Sequence, residues 1–288
     1  MNGEKMKRLS IILSIFLMLL LASCRVGEKI TPPTDACVKC GSTYVFPDAN
    51  LADAVRKATN TPKSCPICAE NLPYVTSLDI TANVNDFTGM DAMPNLVSIS
   101  LSNCTLSDVN FLLSNTKLKT ITINNSVIGS ISGLDPLTQL NSFAISSCTV
   151  ATTPDFSGAP ALKAVTFTDS SQTLMTWATP LTSIQYVDIS GNTINDLSPL
   201  LGKNSLTTLK AAHNIIADLS FIEQLMSLNN IDLSYNNVSD ILPLVNSATS
   251  YGLKNGGTVD LTADPLNSTS QTTYMSYMRQ HGVTVIYP

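Results

Sequence analysis

The chain has 288 residues and a formal net charge of −5, from 16 lysines and arginines against 21 aspartates and glutamates. A mildly acidic chain without a basic stripe does not fit nucleic-acid binding, so we expect no nucleic-acid partner. The length suits one elongated domain, because a repeat array is not limited by the size of a globular core.

Residues 1–23 have the features of a signal peptide. Three basic residues precede an apolar run from Ile11 to Leu21. The run ends in Leu21-Ala22-Ser23-Cys24, which resembles the bacterial lipobox. The resemblance implies cleavage before Cys24 and lipid attached to its sulfur. An ordinary secretory signal or an uncleaved anchor is the alternative, although the run is short for a membrane span of about 20 residues.

The segment that follows, residues 24–43, is predicted to be a lipidated tether that ends in the first cysteine pair. Its Pro32 and Pro33 favour a semi-extended chain. Arg25 follows the lipidated position, where an aspartate retains lipoproteins in the inner membrane of enterobacteria. We therefore expect a lipid-anchored protein of the bacterial envelope, in the outer membrane or at the cell surface rather than in the inner membrane.

Residues 44–74 are predicted to form an N-terminal cap. Within them an amphipathic helix is expected to begin after Asp48, whose side chain can cap the first turn. Leu51 and Val55 would then lie on one buried face of that helix, where they can cover the open end of an array.

Two C-x-x-C pairs flank this helix, and we expect both to be structural. One arrangement is a pair of disulfides, which an exported protein favours; the other is one structural zinc ion held by four thiolates. Redox chemistry is the least favoured role, because no thioredoxin-like βαβ unit surrounds either pair. No other cofactor is expected. The four residues are Cys37, Cys40, Cys65 and Cys68.

Residues 75–249 repeat one apolar pattern with a period of 22 after a first step of 21. Offsets 3 and 5 from each repeat start are apolar and predict a short strand, with offsets 2 and 4 on the opposite face. A single coil cannot bury such a strand, so the coils must stack into a parallel sheet. The eight repeats start at Val75, Leu96, Leu118, Leu140, Leu162, Ile184, Leu206 and Leu228.

After each strand the pattern predicts two turns. Offset 8 carries Asn, Ser or Cys, whose short side chains can bond backbone groups inside the turn. Cys104 and Cys148 at this offset lie two coils apart, roughly 10 Å, too far for a disulfide. Aspartates at offset 12 are expected to cap one turn of 3₁₀ helix on the convex side rather than to bind calcium.

Two repeats depart from this convex pattern. The Asp-Leu pair is replaced by Thr152-Thr153 in one and by Leu174-Met175 in the next. We expect an irregular convex side in both, closed by Phe156 and Trp177.

The repeats resemble those of the internalin-type leucine-rich repeat proteins of bacteria. Residues 250–288, with Thr258–Leu266 and Gly282–Tyr287, resemble a C-terminal closing module of such arrays. The resemblance implies an α/β solenoid of about eight 22-residue coils. It would have a parallel sheet on the concave face, 3₁₀ turns on the convex face, an N-terminal helical cap and a C-terminal α/β cap.

The exposed concave positions are the candidate binding surface. Small polar residues fill the first repeats, whereas aromatic and charged residues cluster in the last three, and aromatic residues dominate binding hot spots. Neither histidine has a serine, a cysteine or a carboxylate residue at the sequence spacing of a catalytic motif. We therefore expect that the protein is not an enzyme. The candidate ligand-binding residues are Tyr186, Asp188, Lys210, His213, Asp232 and Tyr235.

These features favour a surface-anchored recognition protein that binds a protein or glycan on its concave face, with adhesion to host cells as one version. A structural envelope lipoprotein without a dedicated ligand is the second hypothesis. A sensor or enzyme that uses the cysteine cap is the third. The fold leaves the ligand open, because repeat arrays of this type bind many unrelated partners.

Overall fold

The computed structural model describes residues 37–250, 252–253 and 256–287. Its helices are α1 (Ala49–Ala58), α2 (Leu242–Ser250) and α3 (Met275–Gln280). Its strands are β1 (Thr43–Tyr44), β2 (Ile67–Cys68), β3 (Ser77–Ile80), β4 (Ser98–Ser102), β5 (Thr105–Leu106), β6 (Thr120–Asn124), β7 (Val127–Ile128), β8 (Ser142–Ser146), β9 (Thr149–Val150), β10 (Ala164–Thr168), β11 (Tyr186–Asp188), β12 (Thr208–Lys210), β13 (Asn230–Asp232), β14 (Thr258–Asp260) and β15 (Thr284–Ile286).

One ten-stranded parallel sheet runs through the repeats, in the order β15-β14-β13-β12-β11-β10-β8-β6-β4-β3. Each strand pairs with the next in the register of the sequence repeat, so that Ile99 lies beside Ile121 and Val187 beside Leu209. The predicted α/β solenoid is therefore confirmed. Eight of the strands belong to the eight predicted repeats, and β14 and β15 extend the sheet into the closing module.

The core follows from the alternation of side chains within these strands. In β4, β6, β8 and β10 the central residues alternate between buried and half-buried positions. Offsets 3 and 5 are fully buried in these coils and stack into one continuous apolar column. Because each coil contributes only a few apolar side chains, it is stable only against its neighbours.

A ladder of polar side chains at offset 8 stabilises the turn after each strand. Asn214 is representative: its Oδ1 accepts from the N–H of Ile194, and its Nδ2 donates to carbonyls that include those of Ile189 and Ala211. Cys104 and Cys148 occupy the same ladder as buried free thiols, as predicted, and burial raises the pKa of both.

The convex side carries short 3₁₀ turns, as expected. The carboxylates of Asp108, Asp196, Asp218 and Asp240 each accept from the backbone N–H two residues later, at 2.8 to 2.9 Å. The bond begins a 3₁₀ turn after Asp108, Asp196 and Asp218 and begins α2 after Asp240, which confirms their capping role. The 3₁₀ segments are Ala69–Tyr74, Met90–Ala92, Asn110–Leu112, Thr176–Ala178, Ser198–Leu200 and Ser220–Gln224.

The two atypical repeats behave differently from each other. No helix forms between Thr152 and Leu162, and buried Phe156 closes that coil, as expected. The expectation of an irregular coil around Trp177 was wrong, because Thr176–Ala178 forms a regular 3₁₀ turn. Met175 is buried there and supplies the apolar side chain that leucine gives elsewhere. The turn is made by backbone bonds that do not need the aspartate cap.

The ends of the array are closed by the predicted caps. Asp48 accepts from the N–H groups of Asn50 and Leu51 and so caps α1, whose Leu51 and Val55 are fully buried. Lys57 of this helix forms an ion pair with Asp79 of β3 at 2.9 Å. At the other end α3 precedes β15. None of the helices in the described segments is long and apolar enough to span a membrane.

The cap cysteines are disulfide-bonded in this structure. Cys40, just before β1, forms a disulfide with Cys68 of β2, with Cα atoms 5.0 Å apart and a sequence separation of 28. Cys37 and Cys65 each take part in a disulfide as well. The bond between Cys40 and Cys68 links the two C-x-x-C motifs to each other. Sulfurs in a disulfide are not thiolates, so the zinc arrangement does not apply to this form of the cap.

Candidate functional site

The concave face of the last coils carries a charged row at offset 4: Asp188, Lys210, Asp232 and Asp260. The parallel register places each of these residues beside the next, from β11 to β14. Neighbouring strands lie about 4.8 Å apart, so the row is a ladder of charges on a rigid sheet. The same offset carries small residues in the four preceding coils, from Ser100 to Thr166, and Asp79 in the first coil pairs with Lys57.

Tyr186 is held in place by two neighbours in this row. Its hydroxyl donates to the carboxylate of Asp188 at 3.2 Å, and the Nζ of Lys210 lies 5.9 Å from the centre of its ring. Burial and the charge of Asp188 raise the pKa of Tyr186, so the phenol stays protonated and can donate. The three side chains form a pre-ordered cluster, which reduces the entropy lost on binding.

Beside this cluster lies a shallow depression of about 270 Å³. Asp232 and Asp260 line it, and Ile286, 44% exposed as a residue, forms an apolar wall. Neither carboxylate makes an ion pair with any other described residue. The sequence did not point to Asp260 or Ile286, although Thr258-Val259-Asp260 repeats the pattern of Asn230-Ile231-Asp232 in β13.

The carboxylates of this row also have a structural role. The Oδ1 atoms of Asp188, Asp232 and Asp260 each accept from the N–H two residues later, at 2.9 to 3.1 Å. The described hydrogen bonds leave Oδ2 of Asp232 and of Asp260 without a donor. Each aspartate can therefore hold the strand end through one oxygen and offer the other to a ligand.

His213 and Tyr235 form a second group at offset 7, beyond the strand ends. Their rings stack with centroids 4.3 Å apart and planes 11° from parallel. We call them the ring pair. Tyr186 lies at offset 2 on the strand face and contacts Asp188 and Lys210, so the sequence-predicted residues form two groups rather than one cluster.

No described arrangement resembles a catalytic centre. His213 stacks on Tyr235, and His281 stacks on Tyr277 and contacts its carbonyl oxygen. Within the described segments neither imidazole contacts a serine, a cysteine or a carboxylate. The buried Lys203 donates to the carbonyl oxygen of Thr179 at 2.6 Å, and burial lowers the pKa of its amine. It takes the place of core leucines such as Leu181 and Leu225, and among the described residues no ion pair or hydrogen bond joins its amine to another titratable side chain.

A larger cavity, about 410 Å³, lies on the convex side between two 3₁₀ turns. Asp196 and Asp218 line it together with Leu201. Both oxygens of each aspartate are occupied, because Oδ1 accepts from a backbone N–H and Oδ2 from the hydroxyl of Ser198 or Ser220. The concave face is therefore the better candidate site.

Comparison with known proteins finds similarity at the level of fold. No protein-family model and no curated protein matches the chain. An internalin (inlF) from Listeria monocytogenes superposes with a TM-score of 0.69 at 21% identity over 84% of this chain and 69% of its own. Internalin C2 of the same organism gives 0.61 at 24% identity over 78% of this chain and all of its own. InlP of L. monocytogenes superposes with a TM-score of 0.65 at 17% identity, over 85% of this chain and 72% of its own. The chain therefore has the internalin-type leucine-rich repeat fold.

Proposed function

We propose that this chain is a lipid-anchored recognition protein of the bacterial envelope, which binds a protein partner on the concave face of its last coils. The observation that carries the proposal is the pre-ordered cluster of Tyr186, Asp188 and Lys210 on a rigid sheet. An aromatic ring flanked by both charges is the composition of a binding hot spot. Recognition needs no catalytic group, which agrees with a role that is not enzymatic.

The fold supports this function through its geometry. Ten parallel strands fix the spacing of every concave side chain, so a partner meets a surface that needs little ordering. Asp232 and Asp260 add negative charge next to Lys210, so both signs are available for complementary pairing. The solved structures with the same fold are internalins, and we extend protein recognition from that family to this chain.

Anchoring rests on the sequence alone, because Cys24 lies outside the described residues. The lipobox resemblance of residues 21–24 supports a lipid-bearing cysteine, and residues 25–36 would link it to the cap. An anchor of this kind would hold the concave face outside the cell, in the outer membrane or at the surface. Adhesion to host cells is one use of such an array.

The Cys24→Ala variant tests the anchor. Because only the cysteine thiol can form the thioether, we expect this variant to lose labelling by radioactive palmitate and to be released or incorrectly processed. Ser23→Ala is the matched control, since a small residue before the cysteine is retained and labelling should persist. Labelling of Cys24→Ala at the level of the natural chain would contradict the lipoprotein assignment.

Affinity capture tests recognition. The mature protein in detergent is used as bait against surface extracts, beside the double variant Asp232→Asn/Asp260→Asn. Asparagine keeps the Oδ1 acceptor that each strand end needs but removes the charge, so the fold should persist while capture falls about ten-fold or more. Asp240→Asn on the convex side makes the same chemical change away from the site and should capture normally. Equal capture by all three baits would place the contact elsewhere.

Two alternatives have their own support. The concave face of the first coils is lined by small polar residues such as Thr122 and Ser146, which is what a structural envelope protein without a ligand would show. A glycan is the alternative ligand, since the same face offers hydroxyl and amide groups. Capture that fails in every extract would favour the structural role, and capture abolished by periodate treatment of the extract would favour the glycan.

A further inference from the structure

The ring pair belongs to a row of residues with an unusual backbone. From Asn103 onward, the residue at offset 7 of each coil has a positive φ, in the left-handed region, with values of 46° to 72°. Glycine, asparagine, aspartate and, among ring-bearing residues, histidine tolerate this conformation, whereas a large side chain such as tyrosine is an outlier there. The row consists of Asn103, Asn125, Ser147, Asp169, Gly191, His213, Tyr235 and Ala263.

Tyr235 therefore occupies a position where the repeat would be more stable with a small residue. The ring is not used in the core, because 51% of the residue is exposed and the ring stacks on that of His213. A costly backbone conformation that displays an exposed ring pair is better explained by a ligand than by the fold.

The surroundings of the ring pair decide what it binds. Gly191 and Ala263 hold the row positions on either side, so no bulky row neighbour covers the outer face of either ring. Over Gly191 lies the carboxylate of Asp169, within 3 Å of where a Cβ on that glycine would be. A group stacked on the outer face of His213 would lie one coil away, above Gly191 and beside this carboxylate.

We propose that the ring pair and Asp169 bind an arginine side chain of the protein partner. A guanidinium is planar and cationic, so it can stack on an aromatic ring and pair with a carboxylate at once. The charges agree with this ligand. The offset-7 positions from Asn103 to Ala263 hold no lysine or arginine. Asp169 makes no ion pair among the described residues. Lys210, in the offset-4 row, is turned toward Tyr186. A sugar could stack on the rings but would not use the carboxylate as a counter-ion.

This proposal rests on the proposed function, because it names part of the partner, but it is tested without the partner. The full chain, purified in detergent and labelled with 3-fluorotyrosine, is titrated with N-acetyl-arginine amide and followed by fluorine NMR. The Tyr235 resonance is identified as the one missing from Tyr235→Asn. N-acetyl-citrulline amide, which has the same shape without charge, and methyl β-glucoside are the comparison probes.

The expected result is a saturable shift of the Tyr235 resonance with the arginine probe alone. The resonance of Tyr74, which is 82% exposed on the N-terminal cap, should not move. Asp169→Asn and His213→Asn should each weaken binding about two- to five-fold. An equal response to citrulline, a response only to the glucoside, or an equal shift at Tyr74 would each overturn the proposal.

A folding measurement shows whether the ring pair has only a structural role. Asparagine is favoured in the left-handed region, so Tyr235→Asn and His213→Asn should melt at the same temperature as the natural chain or higher. A marked fall in melting temperature for both would mean that the rings stabilise the fold, and would remove the argument for a ligand. The natural chain could show no shift with the arginine probe while Tyr186→Ala still weakens binding of the partner. That result would refute this proposal alone and leave the proposed function intact.

Discussion

The Asp264→Asn variant should be more stable than the natural chain at neutral pH, by up to about 3 kcal/mol in the free energy of unfolding. Asp264 is buried and occupies the offset-8 ladder in the coil of β14. Its Oδ1 accepts from the N–H groups of Asn236 and Val238 at 3.2 and 3.1 Å. These are the bonds that a ladder asparagine makes.

The second oxygen of Asp264 lies in an unfavourable position. In the preceding coil the Nδ2 of Asn236 donates to the carbonyls of Ala211, Leu233 and Ser234. The carboxylate has no N–H to give, and its Oδ2 is buried without a hydrogen-bond partner. Burial raises its pKa to about 6, and the nearby charges of Asp260 and Asp232 act in the same direction. Asparagine would supply the missing donor without a charge.

The sign of the pH dependence follows from this raised pKa. The folded-state value is about 6, above the ordinary value of 3.8, so folding favours the protonated acid. Its contribution to stability is complete below about pH 4 and is lost as the pH rises through about 6. The advantage of Asp264→Asn should therefore be small at pH 4, grow between pH 4 and 7, and stay constant above that.

Urea unfolding at pH 4, 5.5 and 7.5 measures this difference directly. Asp155→Asn is the control with the opposite sign, because hydrogen bonds to the backbone and side chain of Ser157 lower the pKa of exposed Asp155. That variant should not become more stable at neutral pH. Equal stability of Asp264→Asn and the natural chain at pH 7.5, or an advantage of the same size at pH 4, would show that Asp264 is not a charged substitute for asparagine.

The repeat period was enough to predict the strands and the core. Offsets 3 and 5 are set by the alternation of side chains, and the stacking of coils follows because one coil cannot bury them. The caps on the convex turns were also predictable, because each joins an aspartate to the backbone N–H of the residue two positions later. Such a bond depends only on the local sequence. Local patterns of this kind survive in the structure because every coil repeats the same contacts.

The closing module was harder to align. The step from Leu228 to the next coil is 28 residues, because α2 stands where the other coils have a short 3₁₀ turn. The longer step hides the register of Val259 with Ile231, and with it the ladder position of Asp264. The shared pattern in Asn230–Leu233 and Thr258–Leu261 was the available signal.

The grouping of the candidate site residues depended on side-chain conformations that a period does not specify. Lys210 turns toward Tyr186 rather than toward either neighbouring aspartate, and the carboxylate of Asp169 folds over Gly191. Both choices depend on the space left by adjacent coils. The sequence identified which residues are exposed on this face but not which of them touch.

Tyr186→Ala should weaken binding of the captured partner by about thirty-fold with the fold intact. Truncation of an aromatic hot spot typically costs about 2 kcal/mol or more. The change also frees Asp188 and Lys210 from the positions in which the ring holds them. Tyr186→Phe keeps the ring and its contact with Lys210 but loses the hydrogen bond to Asp188, so its loss should be smaller. Tyr235→Ala should show a similarly large loss, because the ring pair lies in the same proposed contact.

The dissociation constants of the partner for these variants, beside Thr122→Ala and Ser146→Ala, test the central claim most directly. Thr122 and Ser146 lie on the same concave sheet, in the coils lined by small residues, and their truncation should change the dissociation constant by less than about two-fold. Our account requires a large loss for Tyr186→Ala and Tyr235→Ala, a small loss for the two controls, and unchanged melting temperatures throughout. Equal and negligible effects of all four substitutions would contradict binding at the concave face of the last coils.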